Sequence, residues 1–132
     1  MGRSFLERLQ EGPVLFDGAM GTELYHRGNV PFDRSFDELN LSNPELVKGV
    51  HLDYIRAGAE VIETNTFGAN RLRLASHGLA DKARQINLQG VAVAREASRL
   101  AGLETLVAAA MGPLGRPLSP TDSTRCIPTP SA

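Results

Sequence analysis

Two short segments carry the side chains that could do chemistry. Phe16-Asp-Gly-Ala-Met-Gly-Thr22 follows an apolar run with an acid and two glycines. Val61-Ile-Glu-Thr-Asn-Thr-Phe-Gly-Ala-Asn70 places four polar residues, Glu63 to Thr66, after another. In α/β proteins the C-terminal ends of strands hold ligands, because the sheet fixes the backbone while loops supply the reactive groups. At such an end the Asp17 carboxylate could accept hydrogen bonds from a ligand's ammonium group; the competing reading is a cap on the turn or helix that follows. Gly18 and Gly21 let the backbone approach a ligand, and their N–H groups could meet a carboxylate. Asp-Gly-x-x-Gly lacks the lysine and the spacing of a phosphate loop or a dinucleotide fingerprint.

In the second segment a period of two sends Glu63 and Asn65 to one side and Thr64 and Thr66 to the other. A buried glutamate needs a partner or a raised pKa, so structural pairing and site membership both stay open for Glu63. Asn65 and Thr66, at the very end of the strand, are better site candidates. His26, His51 and His77 are too scattered for a metal-ligand spacing and read as structural. Arg71 and Arg73 read as a solvated helix face.

These segments need elements to position them. Met1 to Gln10 reads as a short amphipathic helix, Val14-Leu15-Phe16 as a first strand, and Ala19 to His26 as a helix stopped by Gly28. Asn29 to Leu41 reads as a loop anchored by Phe32 and Phe36. The next helix has a clear start, with Ser42 or Asn43 as cap, Pro44 in the first helical position and Glu45 in the first turn. Leu46, Val47, Val50, Tyr54 and Ile55 recur at helical spacing up to Gly58. Glu60 to Asn65 is the second strand, and a short helix follows through Arg71 to His77. Ala80 to Leu100 is a long helix with Ala83, Ile86, Val91, Ala94 and Ala97 toward a core, and Thr105 to Met111 is a third strand. The order β-α-β-α-β, with runs suited to parallel strands buried on both faces, predicts an α/β fold.

Composition narrows the rest. The 132 residues fit one domain at most, and 42% hydrophobic with 22% charged residues is the make-up of an ordinary globular protein. A net charge of -1 with no basic stripe argues against a nucleic-acid partner. No apolar run reaches the ~18 residues of a membrane span, and the start lacks the apolar core of a signal peptide, which makes the cytoplasm the expected location. The single cysteine, Cys126, allows no internal disulfide and no cysteine-rich zinc site built by this chain alone. From Pro117 the chain is rich in Pro, Ser and Thr without apolar periodicity, so 117–132 reads as a disordered or frame-shifted tail behind a folded region, 1–116.

Four motifs in order carry a resemblance. Asp17-Gly-Ala-Met-Gly-Thr-Glu-Leu, Phe36-Asp-Glu-Leu-Asn-Leu, Gly58-Ala-Glu-Val-Ile-Glu-Thr-Asn-Thr-Phe-Gly-Ala-Asn-Arg and Met111-Gly-Pro-Leu-Gly closely resemble the homocysteine S-methyltransferase family. That family includes the homocysteine domain of cobalamin-dependent methionine synthase, betaine–homocysteine methyltransferase, and bacterial fusions to a methylenetetrahydrofolate reductase. The resemblance runs from about residue 4 to 118. It implies a (β/α)8 TIM barrel, of which this chain would supply about three β/α units, an incomplete N-terminal portion.

The resemblance also implies an activity. Homocysteine would sit at the C-terminal mouth of the barrel, its thiol activated by a zinc held by three cysteines, and the thiolate would take a methyl group to give methionine. Asp17 matches the strand-one aspartate expected near the homocysteine amino group, Gly18 is its backbone neighbour, and Thr64, Asn65, Thr66 and Phe67 match the second strand-end motif of the same pocket. The zinc cysteines lie on later strands of the family, and nothing here matches them. The expectation is therefore a truncated chain, inactive alone, with no catalytic or metal-binding residue of its own. Cobalamin or methyltetrahydrofolate would enter as methyl donor through other domains. Partners would be homocysteine and the remaining barrel or reductase domain, with neither nucleic acid nor membrane. The alternatives are a non-catalytic amino-acid-binding or assembly fragment, and an unrelated small α/β domain.

Overall fold

The computed structural model describes residues 2–115, and the 117–132 tail lies outside the described residues. Its elements follow from local signals. Helix α1 (Phe5–Glu11) starts in a capping box, in which the Glu7 N–H donates to Ser4 Oγ at 3.3 Å and the Ser4 N–H to Glu7 Oε2 at 2.6 Å. Helix α2 (Gly21–Gly28) ends at Asn29, which takes the left-handed conformation at φ 50°. Helix α3 (Leu39–Ser42) is a single turn. Asn43 then caps helix α4 (Pro44–Arg56), accepting the Leu46 N–H at 3.3 Å on Oδ1. Strand β1 (Val61–Glu63) leads to helix α5 (Arg71–Ala75), and a 3-10 turn at Ala80–Lys82 feeds helix α6 (Ala83–Ala101). Gly102, left-handed at φ 67°, turns the chain into strand β2 (Leu106–Ala108).

Strands β1 and β2 run parallel in the register Val61–Leu106, Ile62–Val107 and Glu63–Ala108. On the other side of β1, Phe16 forms a parallel bridge to Val61. Helices α4 and α6 are the crossovers and pack together against the strands. The fold is thus about three of the β/α units of a (β/α)8 barrel. Its core falls into three clusters. Leu24, Leu39, Val47, Val50 and Val93 join α2, α3, α4 and α6. Ile55, Ile62, Ala94 and Ala97 seat the long helices on the sheet. Leu74, Ala83 and Ile86 hold α5 against α6.

The structure corrects several expectations. The first strand is reduced to one bridge, with Glu60 and Val61 N–H donating to the Leu15 carbonyl at 2.8 and 3.2 Å and the Asp17 N–H to Val61 O at 3.0 Å. The Leu15 N–H goes to the Glu60 side chain at 3.1 Å instead of a ladder partner. Leu15 and Phe16 are exposed, so burial on both faces is confined to Val61 and Ile62. Helix α2 begins at Gly21 rather than Ala19, and Gly28 is its last residue, with Leu46 packed where a Cβ would stand. The 29–41 loop contains the start of α3. In α6 the buried valine is Val93, not Val91. Gly90 lies on the same buried stripe as Ala83, Ile86, Ala94 and Ala97.

His51 is structural, as expected, but in an unusual setting. It is fully buried in α4, neither ring nitrogen has a hydrogen-bond partner, and burial lowers its pKa from 6.5 to about 4. The neutral ring is therefore the folded form. Because the unfolded chain takes up the proton first, stability is fully present above about pH 6.5 and is lost as pH falls toward 4. The expected loss over that window is about 3 kcal/mol. Urea unfolding between pH 7 and 4 should show it in wild type and should show it much reduced in His51→Leu.

Candidate functional site

The strand ends open onto a cleft of about 730 Å³. Its lining includes Asp17, Gly18, Glu63, Thr64, Asn65 and Phe67, five of them residues singled out from the sequence. Thr66 is not among the lining residues and is buried behind it.

Asp17 leaves the first strand segment with its backbone N–H tied to Val61. Its Oδ2 accepts the Glu63 N–H at 3.0 Å, which fixes the carboxylate across the gap between the two strand ends. Its Oδ1 is withdrawn from solvent and has no hydrogen-bond partner. Burial, the largest effect, raises the Asp17 pKa; the Glu63 N–H opposes it, and the Glu63 charge adds to it. The next residues are tethered by Tyr54, whose hydroxyl donates to the Ala19 carbonyl at 2.7 Å. A Cβ on Gly18 would lie 3.1 Å from that hydroxyl oxygen, so glycine lets the loop pass close to α4.

Thr64 and Thr66 form a ring with Ala110. The Thr66 hydroxyl donates to Ala110 O at 2.8 Å, which spends its only proton. The Thr64 hydroxyl must therefore be the donor in the 2.6 Å contact between the two side chains, while it accepts the Ala110 N–H at 3.1 Å. Both backbone groups of Ala110 are satisfied by side chains two residues beyond the end of β2. The Thr64 N–H adds a bond to Ala108 O at 2.9 Å. These hydroxyls hold the strand ends together.

Asn65 lines the cleft and belongs to a buried amide pair. Its Nδ2 donates to Phe36 O at 2.9 Å and to Asn40 Oδ1 at 3.1 Å. The fully buried Asn40 returns Nδ2 to Asn65 O at 2.7 Å and to Ile86 O at 3.2 Å. A Cβ on Gly90 would come within 2.8 Å of Asn40 Nδ2 and 2.6 Å of Thr66 Cγ2, so only glycine fits there. Phe67 is exposed on the cleft wall, and the Gly112 N–H donates to its carbonyl at 2.9 Å.

Sequence reasoning missed two positioning residues, Asp37 and Asn40. Asp37 Oδ1 accepts the Gly68 N–H at 2.9 Å, and Oδ2 lies 2.7 Å from where a Gly68 Cβ would be. Burial raises the Asp37 pKa, with the Gly68 N–H, Arg73 and His77 opposing it. Both lie in Phe36-Asp-Glu-Leu-Asn-Leu, a signal that carried the resemblance but had no chemistry attached to it. Arg73 and His77, read as solvated or structural, also line the cleft. Glu63 is not buried and pairs with no interior group; its side chain is exposed on the cleft side.

Among the described residues no group of three or more His, Cys, Asp or Glu could hold a metal ion, and Cys126 lies outside them. The described residues thus do not fit a zinc ion. No helix among them is long and apolar enough to cross a membrane.

Comparison with known proteins gives a consistent picture. The family model described as homocysteine S-methyltransferase matches residues 14–130, a span that takes in most of the Pro/Ser/Thr-rich segment. Methionine synthase of Mycobacterium tuberculosis is 34% identical over 100 residues, covering 68% of this chain. Its counterpart in Mycobacterium leprae is 36% identical over 98 residues, also covering 68%. The chain spans about 8% of the length of these two relatives. Crystal structures of the homocysteine methyltransferase MmuM from Escherichia coli superpose with TM-scores of 0.70 (metallated form) and 0.71 (oxidized form), at 36% and 35% identity. They cover 83% and 86% of this chain, which spans 41% and 42% of theirs.

The hydroxyl ring and the amide pair make separate demands. Thr66→Val leaves the Ala110 carbonyl and the Thr64 hydroxyl proton unmatched, and should cost about 1–3 kcal/mol in urea unfolding, while Thr66→Ser should cost less because it keeps the ring. Gly90→Ala forces the Asn40 amide and Thr66 apart and should cost a similar ~1–3 kcal/mol.

Proposed function

The chain belongs to the homocysteine S-methyltransferase family, and from that premise we propose that its cleft binds homocysteine for methyl transfer to the thiol, giving methionine. The observation that carries this reading is the half-buried Asp17 carboxylate, which lines the cleft at the strand ends and is engaged by no ion pair among the described residues. A carboxylate drawn partly out of water is favoured by a cationic partner, and the ammonium of an amino acid is such a partner. Gly18 brings backbone close to the same ligand, and Asn65 and Phe67 line its wall. Thr64 and Thr66 serve it by fixing the strand ends.

The described residues anchor an amino acid and hold no metal-ligand cluster. On this reading the activation of the thiol and the methyl donor are supplied by other parts of the family architecture: the remaining barrel and, for a cobalamin- or folate-borne methyl group, further domains. The reaction is placed in the cytoplasm. The anchoring geometry equally serves a second reading, amino-acid binding without catalysis.

Titration of the 132-residue chain with L-homocysteine, followed by amide NMR, tests the reading. Binding should perturb residues 17–21 and 63–68, and Asp17→Asn should weaken it about tenfold or more. Because the ammonium needs the ionised carboxylate, and burial raises the Asp17 pKa, affinity should be full above that pKa and fall as pH drops through it. An affinity unchanged in Asp17→Asn would refute the assignment.

A further inference from the structure

Helix α6 buries Ala83, Ile86, Gly90, Val93, Ala94 and Ala97 against the rest of the fold. Helical spacing sets Arg84, Leu88, Ala92, Arg95 and Arg99 in one row on its opposite side, about 22 Å long, and all five are exposed. Spread from 84 to 99, the three arginines form no run in the sequence, and only the helix gathers them. None of them is in an ion pair. The first half of the chain behaves differently. Among the described residues every Lys and Arg up to Arg56 lies within ion-pair distance of a carboxylate, and none from Arg71 on does. The single acid of α6, Glu96, is turned aside from the row and lies 3.2 Å from Lys48.

A solvated helix face ordinarily interleaves acids and bases three or four positions apart. This one carries a single sign, and its middle is apolar. Leu88 is 58% exposed, Ala92 stands one turn on, and the half-buried Val91 borders them. An apolar strip flanked by charge is the pattern of a helix–helix seam, in which the flanking charges select the partner. All three cations are arginines, whose weakly hydrated planar guanidinium matches a carboxylate in two bonds. A phosphate backbone would use the arginines but leave Leu88 and Ala92 in water, and the row has no aromatic ring on which a base could stack. The chain's net charge of -1 also opposes a nucleic acid. We propose that the outward face of α6 docks an acidic amphipathic helix of a partner protein. The partner's apolar edge lies on Leu88 and Ala92, and its carboxylates meet Arg84, Arg95 and Arg99. Gly90, on the opposite side of α6, is the residue that faces Asn40 and Thr66, so this surface is separate from the cleft and does not depend on the homocysteine reading.

The probe is a fluorescein-labelled synthetic peptide with leucine at heptad positions a and d and glutamate at e and g, titrated with the 132-residue chain and read by fluorescence anisotropy. The expected result is saturable binding that weakens as salt rises and is lost when the peptide's glutamates are replaced by glutamine. Arg95→Gln combined with Arg99→Gln should weaken it about tenfold or more, and Leu88→Gln about threefold. All three positions are exposed, so melting temperatures should not change. Arg71→Gln combined with Lys82→Gln removes the same charge away from the row and should leave binding as it was. The proposal is overturned if the acidic peptide does not bind. It is also overturned if the Arg71 and Lys82 pair matters as much as the Arg95 and Arg99 pair, which leaves only unspecific attraction. A third result overturns it too: Leu88→Gln without effect and full competition by a DNA duplex, which makes the face a phosphate-binding one.

Discussion

The carboxamide of Asn40 is the constraint on which the cleft depends. Its two N–H donors reach the Asn65 carbonyl at the end of β1 and the Ile86 carbonyl in the first turn of α6, and its oxygen accepts from the Asn65 side chain. One side chain thus ties helix α3, a strand end and a crossover helix. The site is fully buried, so each of these bonds acts in a low dielectric and a missing partner would be left without water to replace it. Gly90 makes the arrangement possible by leaving room for the amide against the helix.

Around it the strand-end residues divide by task. Thr64, Thr66, Asn40 and the Asp37 carboxylate spend their polar atoms on backbone, on Ala110, Asn65, Ile86 and Gly68. Asp17 is different, with one oxygen committed and the other buried without a hydrogen-bond partner. A cleft built this way has a rigid floor of satisfied groups and few unsatisfied ones. Preorganisation of that sort lets a ligand bind without first ordering the protein. Tyr54 extends the same logic to the first loop by holding the Ala19 carbonyl.

Much of this was legible in the sequence where one signal dominated. The cap at Ser42 or Asn43, Pro44 and the apolar period of Val47, Val50 and Ile55 placed the start of α4 within a residue, because capping and burial agree there, while its end at Arg56 falls just short of the expected Gly58. The two strand-end motifs were found from apolar runs breaking into polar residues, and five of the six residues chosen line the cleft. What sequence did not show depends on distant partners. The first strand shortened because Glu60, 45 residues away, takes the Leu15 N–H. On α6 the expected face holds at Ala83, Ile86, Ala94 and Ala97, and only the valine differs, Val93 being buried in place of Val91 beside Gly90, which sits against Asn40. Asn40 and Asp37 lie in a stretch without period, and nothing local marks a buried amide that bonds residues 25 and 46 positions away.

Those separations bear on how the chain comes into being. During synthesis from the N-terminus, Asp17 cannot find its partners until residues 61 to 63 have emerged. The Asn40 node cannot close until Ile86 and the first turns of α6 are available. Helix α1 waits longer still, since the Arg8 guanidinium donates to the Glu104 carbonyl. Closing long loops costs entropy before the contacts return it, so the nascent chain carries its ligand-facing segments as unformed loops until nearly all the described residues are made. The cleft is thus a late product of translation, assembled last although its first carboxylate is synthesised among the earliest residues.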